Sequence, residues 1–152
     1  ALVPLHGAPH CIRHDPAIRV TQAEAGEIRV GGAAEFLPRR IADFYRAEAR
    51  RALSALALQK AEQAALRPRR VSVKDTSSRW GSCAADRSLA FSWRLVRAPP
   101  VGQYDGAAQE VAHLRHMNHG PRFWALVARL TRHTGAAMAW LKREGPGLLR
   151  VG

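Results

Sequence analysis

The sequence predicts an α+β fold, and three observations carry that prediction. Apolar residues alternate with a period of two in short N-terminal and central stretches. Between those stretches they recur every three to five residues over some thirty positions. After Pro99-Pro100 the pattern is helical again to the end. Hairpin, long helix, strands and then helices is the order of an α+β domain rather than of alternating βαβ units. At 152 residues the chain is read as a single domain spanning 1–152, long enough to bury a substantial core.

Each element follows from local chemistry. Pro4, Gly7, Pro9 and Pro16 make residues 1–16 loop or extended edge, only loosely ordered. Ile18–Thr21 and Glu27–Val30 are β-prone and flank a turn around Gly26, which signals a hairpin. Gly31-Gly32 ends it. From Glu35 to about Leu66 a helical stripe runs through Leu37, Ile41, Phe44, Ala49, Ala52 and Leu56, with Arg39, Arg46, Arg50 and Lys60 elsewhere on the helix. Pro38 suits the first turn and Pro68 marks the end. Val71 and Val73 then alternate. Leu89, Phe91, Trp93 and Leu95 alternate against Ser88, Ala90, Ser92 and Arg94, after a turn at 84–87. These strands and the first hairpin are expected to form one small antiparallel or mixed sheet. Pro99-Pro100 opens a helix reaching about Met117, and Asn118-His119-Gly120-Pro121 breaks it. A helix over 122–131 buries Phe123, Leu126, Val127 and Leu130. A last one follows Gly135 over 136–143.

Composition bounds the function. The apolar fraction is 47% and the charged fraction 24%, as in ordinary globular proteins. No apolar run is long enough to span a membrane, and no signal peptide is visible. A first residue of Ala rather than Met leaves room for a leader upstream. Cys11 and Cys83 are too few for a disulfide framework, so a reducing cytoplasm is the simple expectation. Twenty-four basic against twelve acidic residues give a net charge of +12. Such a balance can draw nucleic acid to the surface. The arginines are dispersed rather than gathered in a tail, which favours a coding bias towards Arg and Ala and leaves nucleic acid open.

Chemistry concentrates in "AAQEVAHLRHMNHGPRFW", Ala107 to Trp124. Two histidines four apart on a helix share one face and can share a tetrahedral zinc, with an intervening glutamate beside the zinc-bound water. Here positions 109–113 read Gln-Glu-Val-Ala-His. Glu110 and His113 keep the spacing, while Gln109 stands where the first histidine belongs. A turn at Asn118–Gly120 can bring His119 back as a further ligand. Alone, Gln-Glu-x-x-His is a weak signal that many surface helices carry.

"SSRWGSC", "AFSWRLVRAPP" and "EVAHLRHMNHGPRFWALV" together, in this order and at this spacing, resemble the YgjP-like metallopeptidase family. That family is related to SprT-like and WLM zinc peptidases and to compact minigluzincins. The resemblance covers about residues 18–143. It implies a compact zincin-like domain, a small sheet with a long scaffold helix and C-terminal helices carrying the motif. It also implies a zinc cofactor and a peptide or protein substrate. Carried over, Glu110 is the general base, and His113 and His119 are zinc ligands. Gln109 falls on the first ligand position, and Trp80, Gly81 and Ser82 line the substrate cleft.

Gln109 shapes the functional expectation. An amide oxygen is a hard, weak donor beside a neutral imidazole, so zinc affinity should fall. Gly102 and Gly106 should each cost the helix roughly 1 kcal/mol against alanine. The first reading is a zinc-dependent peptidase-like hydrolase, weakened at one ligand. A catalytically impaired peptide-binding module on the same scaffold is the alternative, and a nucleic-acid-associated or nucleotide-directed hydrolase is a third. His116 reads as a surface histidine beside the ligand set. His6, His10 and His14 mimic a ligand ladder, but Gly7 and Pro9 interrupt any helix there. Cys83 is a buried small side chain or an adventitious soft ligand. Trp80 and Trp93 suit plain core packing as well as a cleft.

Overall fold

A computed structural model describes residues 2–132 and 134–150, and the chain is α+β as the patterning predicts. The strands are β1 (Leu2–Leu5), β2 (Ala8–His14), β3 (Gln22–Glu24), β4 (Glu27–Val30), β5 (Arg70–Lys74), β6 (Gly81–Cys83) and β7 (Ser88–Ser92). The helices are α1 (Leu37–Gln63), α2 (Pro100–Ala112), α3 (Pro121–Leu130) and α4 (Thr134–Arg150), with 3-10 turns at Ala34–Phe36 and Trp93–Arg97. There is not one sheet but two. Four strands lie in the order β1-β2-β4-β3 and three in the order β5-β7-β6. β2 pairs with β4, and β5 with β7, in parallel, while the other neighbours are antiparallel.

The N-terminal residues are not loosely ordered. β1 and β2 form a hairpin in which Leu2 pairs with Cys11 and Leu5 with Ala8. Its turn residues His6 and Gly7 both have positive φ, 51° and 79°, the backbone twist that suits a two-residue hairpin. The amides of His6 and Gly7 donate to Val96 and Arg97 carbonyls at 2.8 and 3.0 Å, tying the turn to the 3-10 segment. A Cβ on Gly7 would lie 2.6 Å from Pro99 Cα, so only glycine lets the two approach. The second hairpin also shifts. Its first strand is Gln22–Glu24 rather than Ile18–Thr21, because Ala25 and Gly26, both at positive φ, make the turn and fix the register three residues later.

Helix α1 buries Tyr45, Ala49, Leu53, Leu56, Ala57 and Ala61. That stripe is turned slightly from the expected one: Ile41, Phe44 and Ala52 are only half-buried, while Tyr45 and Leu53 are core. Tyr45 is anchored because its hydroxyl donates to the Pro4 carbonyl at 2.7 Å. The helix ends before Pro68 acts. Ala65 sits at φ 55°, and the Leu66 and Ala65 amides return to the Ala61 and Glu62 carbonyls, a Schellman-type closure.

The alternation through Leu95 does not continue as strand. Ser92 accepts the Arg94 amide at 3.3 Å and starts the 3-10 turn. Arg94 and the Trp93 indole donate to Asp75 at 2.6 and 3.0 Å. Trp93, Leu95 and Val96 remain core residues. They pack with α1 and α2, and that packing fixes where α2 lies. Helix α4 is longer than predicted and runs through Pro146. No helix among the described residues is long and apolar enough to cross a membrane.

Candidate functional site

Helix α2 begins on Pro100, preset for a first turn, and stops at Ala112, five residues short of the expected end. His113 is its cap. The chain then tightens: Leu114 and Arg115 amides donate to Val111 and Ala112 carbonyls, and His116 to Ala112. This early end matters chemically. It turns the segment after His113 back across the helix terminus before Pro121 starts α3, whose Phe123, Leu126, Val127 and Leu130 are buried as expected.

The return brings His119 to His113. Their ring centroids are 4.7 Å apart at an interplanar angle of 74°. Phe123 lies against both, at 4.4 Å from His113 and 4.9 Å from His119, and is fully buried. Trp124 stacks on His119 at 6.1 Å. His113 Nδ1 donates to the His116 carbonyl at 3.0 Å. A carbonyl can only accept, so Nε2 is the nitrogen left to bind a cation. Burial is the largest influence on His113 and holds it below the usual imidazole range, which keeps it neutral, as a ligand must be.

Glu110 projects from α2 onto strand β6. A Cβ built on Gly81 would lie 2.9 Å from Glu110 Cγ and 3.0 Å from Oε2. Glycine at 81 is thus what lets the carboxyl rest on the strand. Burial pushes the Glu110 carboxyl up to about 7, against the opposing pull of the Arg79 guanidinium. A carboxyl of that acidity is poised for proton transfer near neutral pH.

Gln109 points elsewhere in the helix. Its Nε2 donates to Asp105 Oδ2 at 2.7 Å, and Asp105 is fully buried one turn earlier. With its nitrogen so engaged, the amide oxygen is the group Gln109 can offer a cation. Among the described residues no three His, Cys, Asp or Glu side chains gather closely enough to hold a metal. As a donor set, two imidazoles with an amide oxygen in place of a third are weaker for zinc than three imidazoles.

Gly81 touches Glu110, and Ser82 lines a small niche of about 30 Å³ with Lys74 and Arg79. Trp80 is half-buried against the core, and its carbonyl accepts the Ser92 amide at 2.8 Å. Trp93 is core. Cys83 is half-buried in β6, where burial pushes its thiol up and keeps it protonated. His116 lies beyond α2 rather than on it. It lines a pocket of about 400 Å³ with Met117, Pro121 and Phe123. His6 and His14 bond Glu48 and the Gly32 carbonyl, and no histidine ladder forms because β2 is a strand. Three contributors escaped the sequence reading: Asp105 behind Gln109, Arg79 beside Glu110, and the His116 carbonyl behind His113. Only Asp105, one helical turn before Gln109, left a spacing signal.

The family model described as YgjP-like, metallopeptidase domain, matches residues 2–144. No curated protein and no solved structure matches the chain.

Proposed function

The chain belongs to the YgjP-like metallopeptidase family, and from that membership and the geometry around α2 we propose that it is a zinc-dependent peptidase whose metal is held weakly. The observation that carries this reading is one juxtaposition. His113 and His119 meet ring to ring at 4.7 Å, while Glu110, on the same helix end, is seated on edge strand β6. His113 and His119 would hold the ion, with Gln109 giving an amide oxygen where an imidazole is expected. When bound, zinc polarises a carbonyl and lowers the pKa of water to about 7.

The chain's own residues supply the rest. Glu110 takes a proton from the attacking water and returns it to the amine that leaves when the C–N bond breaks. Strand β6 is the outer strand of its sheet. It offers backbone groups with which an extended peptide can pair, with Trp80, Gly81 and Ser82 along that wall. Phe123, itself fully buried, packs against both histidine rings.

The test is to restore the ligand. Gln109→His should take up zinc stoichiometrically by elemental analysis and cleave peptides, and Glu110→Ala in that background should abolish cleavage. A restored protein that binds no zinc ends the reading. The Gln109–Asp105 bond favours a second reading, a peptide-binding module without turnover. That reading gains if the chain as it stands binds peptides but shows no Glu110-dependent cleavage at saturating zinc.

A further inference from the structure

On another face of α2 lies a notch that the peptidase reading leaves unused. It has a volume of about 450 Å³ and is lined by Lys60, Gln63, Tyr104, Arg129, Thr131 and Arg132. Tyr104 precedes Glu110 by six residues, which places it about 120° round the helix at 3.6 residues per turn. The notch and the cleft therefore face different directions.

The chemistry of the lining is one-sided. Three of its residues are cations and none is an acid. Among the described residues no carboxylate lies within ion-pair distance of Lys60, Arg129 or Arg132. Lys60 is half-buried, and that burial holds its ammonium below the usual lysine range. It spends one N–H on the Leu130 carbonyl at 2.6 Å. That bond neutralises the carbonyl end of α3, which would otherwise repel an anion. Among the described residues, two ammonium hydrogens and two guanidinium forks remain to be satisfied. Guanidinium forks match the paired oxygens of phosphate.

Tyr104 adds a second feature. Tyr104 is 44% exposed, with the Lys60 ammonium over its ring, 5.6 Å from the centroid. An exposed ring beside a cluster of cations is the arrangement on which proteins stack unpaired bases while holding the backbone. A net charge of +12 favours a long polyanion over a small one. We propose that this notch binds single-stranded nucleic acid, with a backbone phosphate between Lys60, Arg129 and Arg132 and a base on Tyr104. The inference is independent of whether the cleft holds zinc.

The experiment is fluorescence anisotropy with a labelled oligonucleotide of about 12 nucleotides at salt from about 50 to 200 mM. Arg129→Ala/Arg132→Ala is compared with Arg39→Ala/Arg50→Ala, which removes the same charge from exposed positions of α1. Lys60 is left in place because it holds α3. The notch variant should weaken binding about tenfold and flatten the salt dependence by roughly 1.4 in logarithmic slope. The control should change affinity by less than about threefold. Tyr104→Ala should lose about tenfold in affinity with the salt slope unchanged. Absence of binding at the lowest salt, equal losses in notch and control variants, an unaltered Tyr104→Ala, or equal competition by polyglutamate would each overturn the assignment.

Discussion

The buried position of Glu110 has a measurable cost. In the metal-free protein its carboxyl is pushed from an ordinary 4.5 up to about 7, chiefly by desolvation. Each tenfold change in acidity corresponds to about 1.4 kcal/mol, so keeping this group ionised in the fold costs up to about 3 kcal/mol relative to the unfolded chain. The sign follows from which state holds the proton. Because the folded value is the raised one, the folded state binds the proton more tightly. The associated stability is fully present below about 4.5 and is lost as pH rises through about 7. Glu110→Gln keeps the shape and removes the titration. Its stability advantage over the parent should be near zero at the acid end and grow to about 3 kcal/mol above neutrality. At this chain length that is a rise in Tm of about 6–12 °C.

The assay is urea unfolding of both proteins across that range, in excess EDTA so that no cation competes with the proton. A difference between the two that does not change with pH would refute the reasoning. Glu110 would then be solvated in the folded protein, and its seat on Gly81 would not exist.

Three further outcomes follow. Gly81→Ala introduces a Cβ 2.9 Å from Glu110 Cγ and 3.2 Å from the Ala90 carbonyl. It should destabilise by about 1–3 kcal/mol, and much of that should vanish in Glu110→Ala, so strict additivity in a denaturation cycle would count against the contact. Asp75 accepts from Arg94, Trp93 and Arg46, and hydrogen bonds from Arg94 and Trp93 hold its carboxyl below the usual range. Asp75→Asn should therefore lower Tm near neutrality, and its deficit should shrink as pH falls through the depressed folded value, where the parent loses the same charge. Phe123→Ala empties a fully buried site and should cost about 3–5 kcal/mol; in the Gln109→His background it should also weaken zinc binding by calorimetry, because it frees both histidine rings.

The parts of the fold legible in the sequence were those written locally. The long helix, the Glu27–Val30 strand and the buried face of α3 each follow from a periodicity that tertiary contacts did not override. Apart from the second hairpin, displaced by its own turn at Ala25-Gly26, and the early end of α2, closed by its own last amides, the errors were decided by distant contacts. Pro4 and Pro9 discourage strand, yet the positive-φ turn at His6-Gly7 and its bonds to Val96 and Arg97 hold a hairpin there. Trp93 and Leu95 alternate as if in a strand, yet Ser92 and Asp75 bend the backbone into a 3-10 turn while both side chains stay buried. Gly106 looks like a weakness in α2. Its missing Cβ is what admits Leu95, which would otherwise stand 3.1 Å away. At the candidate site the spacing of Glu110, His113 and His119 was readable, but the partners that orient them were backbone or charge contacts with no sequence signature.

Position 109 illustrates the difference between a changed letter and a changed site. The sequence shows only that glutamine stands where the motif has histidine. The structure adds the buried carboxylate of Asp105 one turn behind it, accepting the glutamine's N–H at 2.7 Å. Histidine can offer an N–H to the same acceptor, and a carboxylate behind an imidazole is the support that metal-binding histidines commonly have. Both residues can therefore satisfy one of Asp105's hydrogen bonds, and leaving such a buried acceptor short of a partner would cost about 1–3 kcal/mol or more. What differs is the face turned outward: an amide oxygen in one case, an imidazole nitrogen in the other. The substitution thus leaves the helix's internal bonding in place and acts on the donor alone, which is why exchanging that single residue tests metal affinity without first disturbing the fold.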